Sequence, residues 1–480
     1  MKLQLLAVAA PVCSALAIQD VLSEIKDQNP LDSALDSALE SSPAFSPTDL
    51  TDFNFNFNLN LDIDTWIKDI FNFAANEITN PPSDLVDDLA ATHPIHSDKT
   101  IYQLISESKY TTILAKIIDS DQEWIDYLNT TDRKLTFFAP TDDAFRKIPH
   151  RHHDHDGDHD DNGDHGDHEH HHIPKEIVRA ILQYHSSPDV LKAIQLFHSH
   201  TIPTALEDPL LGSTTGDNET GLPQRLAVRS GFRGLTLNFY SHIVAADIGA
   251  SNGLIHGISS ILLPPPRTLL LLDVLPTKFS TFNLALHKAS LTHYLNTTST
   301  DNSKGFTLFA PSNRAFEHLG LKINAFLFSP PGLKYLAALL KYHIVPGTTV
   351  YSDTVYTKDG EIKPLSLDGD VIAEGGLTHL DLETLLGEHK ISVDVAHFGP
   401  YVSFKLNGWQ TVGFADALAR DGVVHVLEHI LLPPRRVEGE EGELTVEGLV
   451  ERLGPWVEDG EIEVVEGVEF EEIGVHGWDL

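Results

Sequence analysis

Ser251-Asn252-Gly253-Leu254-Ile255-His256-Gly257-Ile258-Ser259-Ser260-Ile261-Leu262-Leu263-Pro264-Pro265 is answered later in the chain by Asp421-Gly422-Val423-Val424-His425-Val426-Leu427-Glu428-His429-Ile430-Leu431-Leu432-Pro433-Pro434. Each copy opens on a turn dipeptide, runs through β-branched and aliphatic residues around a central His, and stops at Pro-Pro, which a central strand cannot continue. The pattern predicts the closing strand of a domain, present twice.

The upstream partner of each strand is duplicated too. Leu135-Thr136-Phe137-Phe138-Ala139-Pro140-Thr141 matches Phe306-Thr307-Leu308-Phe309-Ala310-Pro311-Ser312. An apolar strand runs into Ala-Pro, and a Thr or Ser stands ready to cap a short helix. Between the two segments each copy carries a Tyr-His pair, Tyr184-His185 and Tyr342-His343. Order and chemistry both repeat, so the chain reads as a tandem duplication of a domain of roughly 150 to 170 residues.

These three segments, in this order and in both copies, resemble the fasciclin-like domain. The resemblance covers 98–265 and 267–434. It implies extracellular adhesion and matrix modules, and it links the Tyr-His region and an Asp-Ile pair before the last strand with receptor binding. Asp247-Ile248 stands at that place in the first copy. The second has Asp416-Ala417, so the candidate binding residues are Tyr184, His185, Asp247, Ile248, Tyr342 and His343.

The residues themselves give the fold class. Ile101, Leu104 and Ile105, then Ile113, Leu114, Ile117 and Ile118, then Trp124, Ile125 and Leu128 recur at helical spacing, and Phe279, Phe282, Leu286, Leu291, Tyr294 and Leu295 repeat the idea. Short β-rich runs punctuated by Gly and Asn follow each Tyr-His pair. Helices first and an antiparallel sheet later predict α+β, two tandem domains with a β-sandwich-like core and N-terminal helices. Pro264-Pro265-Pro266 then reads as a short stiff hinge between them.

The chain of 480 residues carries a formal net charge of −37, which makes nucleic acid and anionic membranes poor partners and cations better ones. Residues 1–17 combine an early Lys, a short apolar run and Ala15-Leu16-Ala17, the pattern of a secretory signal peptide. The only cysteine, Cys13, lies within it, so neither disulfide nor thiol chemistry is expected of the mature chain. No membrane span or lipid-anchor signal is read.

Residues 18–97 read as a low-complexity region, with the alternating Asp52-Phe53-Asn54-Phe55-Asn56-Phe57-Asn58-Leu59-Asn60-Leu61-Asp62 as an alternative edge strand or self-association segment. Residues 435–480 form an acidic tail, either a small hairpin or solvated. Asn129, Asn218 and Asn296 head glycosylation sequons, the first and last at matching places before a strand.

One segment invites chemistry. Residues 150–172 insert an apolar-free run of His and carboxylates into the first copy, a surface loop with imidazoles suited to weak Zn, Cu or Ni binding at His152, His153, His155, His159, His165, His168, His170, His171 and His172. His168-Glu169-His170-His171-His172 fits H-E-x-x-H, but polar flanks and Pro174 deny it a rigid helix. Asp158, Asp160, Asn162, Gly163 and Glu169 fit a calcium loop, with His165 where an apolar residue belongs. Ser106-Glu107-Ser108-Lys109 matches S-x-x-K without its companion motifs.

The expectation is a secreted, non-enzymatic adhesion or matrix protein, at the cell surface or alternatively in a vacuolar or secretory lumen. It binds extracellular proteins or polysaccharide and requires no cofactor. Metal handling by the 150–172 loop is the alternative, and a zinc hydrolase using His168, Glu169 and His172 ranks last.

Overall fold

The computed structural model describes residues 98–148, 174–213, 221–231, 234–297, 305–365, 377–398, 401–434 and 444–458. The expected signal peptide, residues 18–97, the expected metal-binding segment 150–172 and Asn218 lie outside the described residues. All described residues fall in one compact unit.

Three short helices open the first copy: α1 (Ile101–Glu107), α2 (Thr112–Asp119) and α3 (Gln122–Asn129). Thr100 and Gln103 form a reciprocal capping box on α1, which satisfies two of the amides a helix start leaves open. Ile101, Ile105, Leu114, Ile118, Trp124 and Leu128 point inward and pack on the strand behind them. That strand is β1 (Leu135–Pro140), followed by α4 (Asp142–Arg146), α5 (Lys175–Tyr184), β2 (Ser186–Ser187) and α6 (Ala193–His198). The sheet is completed by β3 (Thr201–Ser213), β4 (Gly221–Gly231), β5 (Gly234–Leu237), β6 (Ser241–Ala250) and β7 (Gly253–Ile258), in the order β2-β1-β7-β6-β5-β4-β3.

One expectation is corrected. β7 does not pair only antiparallel: it lies between β6 and β1 and runs parallel to β1, from Leu135 opposite Gly253 to Pro140 opposite Ile258. Every residue of both strands is buried. Strands covered on both faces read as continuous apolar runs and not as alternation, and parallel strands are usually such strands. Pro264 and Pro265 fall beyond the strand, so they end it without occupying the ladder.

The second copy builds the same centre. After α7 (Thr268–Asp273), α8 (Pro276–Lys288) and α9 (Thr292–Thr297) come β8 (Phe306–Pro311), α10 (Asn313–Leu319), α11 (Leu321–Leu327) and α12 (Leu333–Tyr342). Strands β9 (Ile344–Pro346), β10 (Thr349–Val350), β11 (Thr354–Tyr356) and β12 (Ile362–Pro364) precede the longer β13 (Leu377–Thr384), β14 (Gly387–Phe398), β15 (Tyr401–Leu406) and β16 (Gln410–Thr411). Last come β17 (Phe414–Ala419) and β18 (Gly422–Leu427), in a sheet ordered β17-β18-β8-β9 with β18 and β8 again parallel.

Part of the acidic tail is helical, whereas its alternating stretch at 461–473, where a small hairpin is the alternative to a solvated tail, lies outside the described residues. Val446–Glu458 forms a helix, α13, and its Leu449, Leu453 and Val457 are buried in the helical core of the second copy. Apolar residues at i, i+4 and i+8 give it an inward stripe despite the surrounding glutamates.

Candidate functional site

The two Tyr-His pairs are brought to equivalent interior positions at the ends of α5 and α12. Tyr184 and Tyr342 are fully buried. Tyr184 donates its hydroxyl to the Arg225 carbonyl at 2.9 Å and accepts the Asn238 amide at 2.9 Å. Tyr342 accepts the Asn407 amide at 3.1 Å and reaches the Lys390 carbonyl at 3.4 Å. Each Asn holds a left-handed backbone, with φ of 46° and 51°, a conformation Asn tolerates better than most residues. Both escaped the sequence reading, although the repeated Leu237-Asn238 and Leu406-Asn407 carry the signal.

His185 and His343 turn back on their own helices. Nδ1 donates to the carbonyl four residues earlier, Ile181 at 2.7 Å and Leu339 at 2.8 Å. Nε2 accepts the amide of Leu262 or Leu431, at 3.0 Å in both copies. Both ring nitrogens are therefore spent on the main chain, and the ring is neutral with its proton on Nδ1. Burial pushes both imidazoles down to about 4.

The histidines of the last strands form a second duplicated arrangement. His256 lies over Phe138 and His425 over Phe309. Nε2 of each donates to a carbonyl, Leu191 at 2.8 Å and Val350 at 2.7 Å, while Nδ1 accepts the amide of Asp247 or Asp416, at 3.3 Å in both copies. These aspartates sit at a bulge with φ of 57° and 60°. From there the copies diverge. Asp247 is exposed and accepts the Ala193 amide at 2.8 Å. Asp416 is fully buried and accepts the amide and hydroxyl of Ser352 at 2.7 and 2.5 Å. Of the candidate binding residues, Asp247 alone is exposed; Ile248 is half-buried against the α1–α3 core. Next to Asp247, α6 leaves Ile194 and Phe197 58% and 41% exposed.

The turn residues Asn252 and Asp421 do more than turn the chain. Asn252 accepts the Ile101 amide at 2.9 Å and donates to the Leu128 and Thr130 carbonyls. Asp421 accepts the Thr268 amide at 2.9 Å and its hydroxyl at 2.7 Å. Each side chain thus satisfies an amide at the start of its copy's first helix, a cap worth about 1 kcal/mol.

The copies meet across a seam of buried charge. Arg225 of β4 donates to the Thr201 hydroxyl at 2.6 Å, the Thr201 carbonyl at 3.0 Å and the Tyr356 hydroxyl at 3.3 Å. Its guanidinium lies over the rings of Tyr351 and Tyr356 and 3.7 Å from Asp353. Arg420 pairs with Asp208 at 2.7 Å, and Gln224 donates to the Arg420 carbonyl. Phe239 packs on Phe414, with Arg229 against both rings. The proline run is pinned as well: Pro265 and Pro266 are buried, and the Pro266 carbonyl accepts the Arg420 amide at 2.8 Å. The expected hinge is therefore a clamped joint. Its clamps are long-range pairs, which local composition does not reveal.

Asn129 and Asn296 are exposed near the ends of α3 and α9. Among the described residues no three His, Cys, Asp or Glu side chains gather into a metal cage, and no helix is long and apolar enough to cross a membrane.

Residues 108–264 and 277–433 match the family model for the fasciclin domain, and the chain belongs to that family. It is similar to the aurofusarin biosynthesis cluster protein S of Gibberella zeae, 30% identical over 49% of this chain and 63% of that one. It is 28% identical to the transforming growth factor-beta-induced protein ig-h3 of Sus scrofa, over 44% of this chain and 26% of the relative. It is 30% identical to protein sll1483 of Synechocystis, over 32% of this chain and 68% of that one. The chain spans less than two thirds of the first two relatives. A solved FAS1 domain pair from the insect cell adhesion molecule fasciclin I aligns at 16% identity over 69% of this chain and 95% of that one, with a TM-score of 0.29.

Proposed function

We propose that this is a secreted, non-enzymatic adhesion or matrix protein that presents the Asp247 face of its first copy to an extracellular protein or polysaccharide. Family membership supports the reading, and one observation carries it: the duplicated interior groups are committed to the main chain, whereas Asp247 stands exposed against the first residue of α6, a helix that leaves Ile194 and Phe197 exposed. In this reading buried Tyr184 and His185 brace the interior of the first copy, Tyr342 and His343 that of the second, and none of the four touches a partner. Asn129 and Asn296 carry glycans in this reading, together with Asn218. Retention of the intact protein on extracellular material, compared with Asp247→Ala and Ile194→Asp, tests it. Both variants are expected to fold and to lose retention; retention equal to that of the unchanged protein would discard this face.

The His-rich 150–172 loop supports a second reading, metal buffering. Its composition suits borderline metals whatever the adhesive role.

A further inference from the structure

On the surface of the second copy, His318 of α10 and His429, just past β18, lie with ring centroids 4.5 Å apart and planes inclined by 25°. Their Nδ1 atoms are 3.2 Å apart, and Nδ1 of His318 is 3.0 Å from the Glu428 carbonyl oxygen. Both rings are exposed. A carbonyl oxygen and a second imidazole nitrogen therefore both lie within hydrogen-bond reach of His318 Nδ1. At metal–nitrogen bonds near 2.0–2.1 Å, neighbouring ligand atoms on one ion stand roughly 2.9–3.4 Å apart for right to tetrahedral angles. The spacing observed here falls in that range.

The first copy shows what this carbonyl attracts. Ala144-Phe145-Arg146-Lys147 corresponds to Ala315-Phe316-Glu317-His318, and Ser259-Ser260 to Glu428-His429. There the Lys147 ammonium donates to the Ser259 carbonyl at 3.0 Å. One copy holds a permanent cation against the carbonyl; the other replaces that lysine by an imidazole and adds a second imidazole beside it.

We propose that His318 Nδ1, His429 Nδ1 and the Glu428 carbonyl form a divalent transition-metal site, with Cu(II) preferred over Zn(II) and Ni(II) and water completing the coordination. Imidazole favours these ions over calcium and magnesium, and copper heads the affinity order. On binding, the His318 proton moves from Nδ1 to Nε2, so a neutral ring gives up its lone pair without losing a proton. None of its three ligands comes from residues 150–172.

Copper-catalysed oxidation of the intact protein with ascorbate, read by peptide mass spectrometry, separates this site from the loop. His318 and His429 are expected to oxidise in preference to the exposed His287. His318→Lys, which restores the first copy's contact, is expected to protect His429, leave oxidation within 150–172 unchanged and keep the melting temperature. Oxidation of His429 undiminished in that variant, or no oxidation of either ring at copper levels that modify the loop, would overturn the proposal.

Discussion

The carboxylate of Asp353 in the second copy accepts both the amide and the hydroxyl of Thr201 in the first, at 2.6 and 2.5 Å. It also takes the His200 amide at 3.2 Å and faces Arg225. A carboxylate so supplied is one half of a desolvated charge pair spanning two domains.

Replacing Asp353 with Asn therefore leaves Arg225 buried without its counter-ion, and breaking such a pair typically costs about 3–5 kcal/mol. The loss falls on the seam, so calorimetry of the intact protein is expected to show one transition dividing into two. A single transition at the original temperature would mean that the domains are coupled elsewhere.

Acid is expected to weaken both domains in step. A histidine in the unfolded chain takes its proton near 6.5, whereas His185 and His343 resist until about 4. Burial also lowers His256 and His425. Between those values the unfolded state binds more protons, so stability is full above about pH 6.5 and drains away as pH falls toward 4. At the low end the difference amounts to roughly 3 kcal/mol for each of His185 and His343. Urea midpoints across this range measure it. His343→Gln should lower the midpoint at neutral pH and flatten its pH dependence; an unchanged slope would assign the effect to other groups.

How much of this was legible in the chain differs by element. The helical stripes through Ile101, Leu114 and Leu128 follow from spacing, because burial of a helix face is a local property. The α+β class followed from helical stripes preceding β-rich runs, and the duplicated domain from three segments that recur in the same order. The parallel pairing of β1 with β7 was not legible, since a continuous apolar run marks burial on both faces without fixing the direction of the neighbouring strand. Neither was the seam: Arg225 and Asp353 look like ordinary surface charges until the fold closes over them. Asp247 and Asp416 occupy the same bulge, yet one faces solvent and the other Ser352, a difference made by residues far away in sequence.

That divergence can be measured. Glycine accepts the left-handed backbone of either position, so Asp247→Gly and Asp416→Gly report only the side chains. Asp416→Gly strands the buried amide and hydroxyl of Ser352 and should cost about 1–3 kcal/mol; Asp247→Gly should cost under about 1 kcal/mol. Equal losses would contradict the asymmetry.

The 150–172 loop is expected to bind Zn, Cu or Ni at several weak sites and to release them near pH 5, because imidazole ligates only when neutral. Titration calorimetry of the intact protein against a variant lacking the loop, at about pH 7.5 and 5, checks this. Equal uptake by the two proteins would exclude the loop, whereas one tight zinc with peptidase activity lost in Glu169→Gln would promote the hydrolase reading.

In each copy the strand that enters the sheet first and the strand that leaves it last lie side by side and point the same way, joined at six positions in β1 and β7 and at five in β8 and β18. Tension on the two ends of a copy draws such strands along their length in opposite directions. The rungs then share the load in shear and do not open one by one as in an unzipped hairpin. A molecule tethered at both ends would meet a pull with the strongest axis of each domain, and its outer helices would yield before its centre.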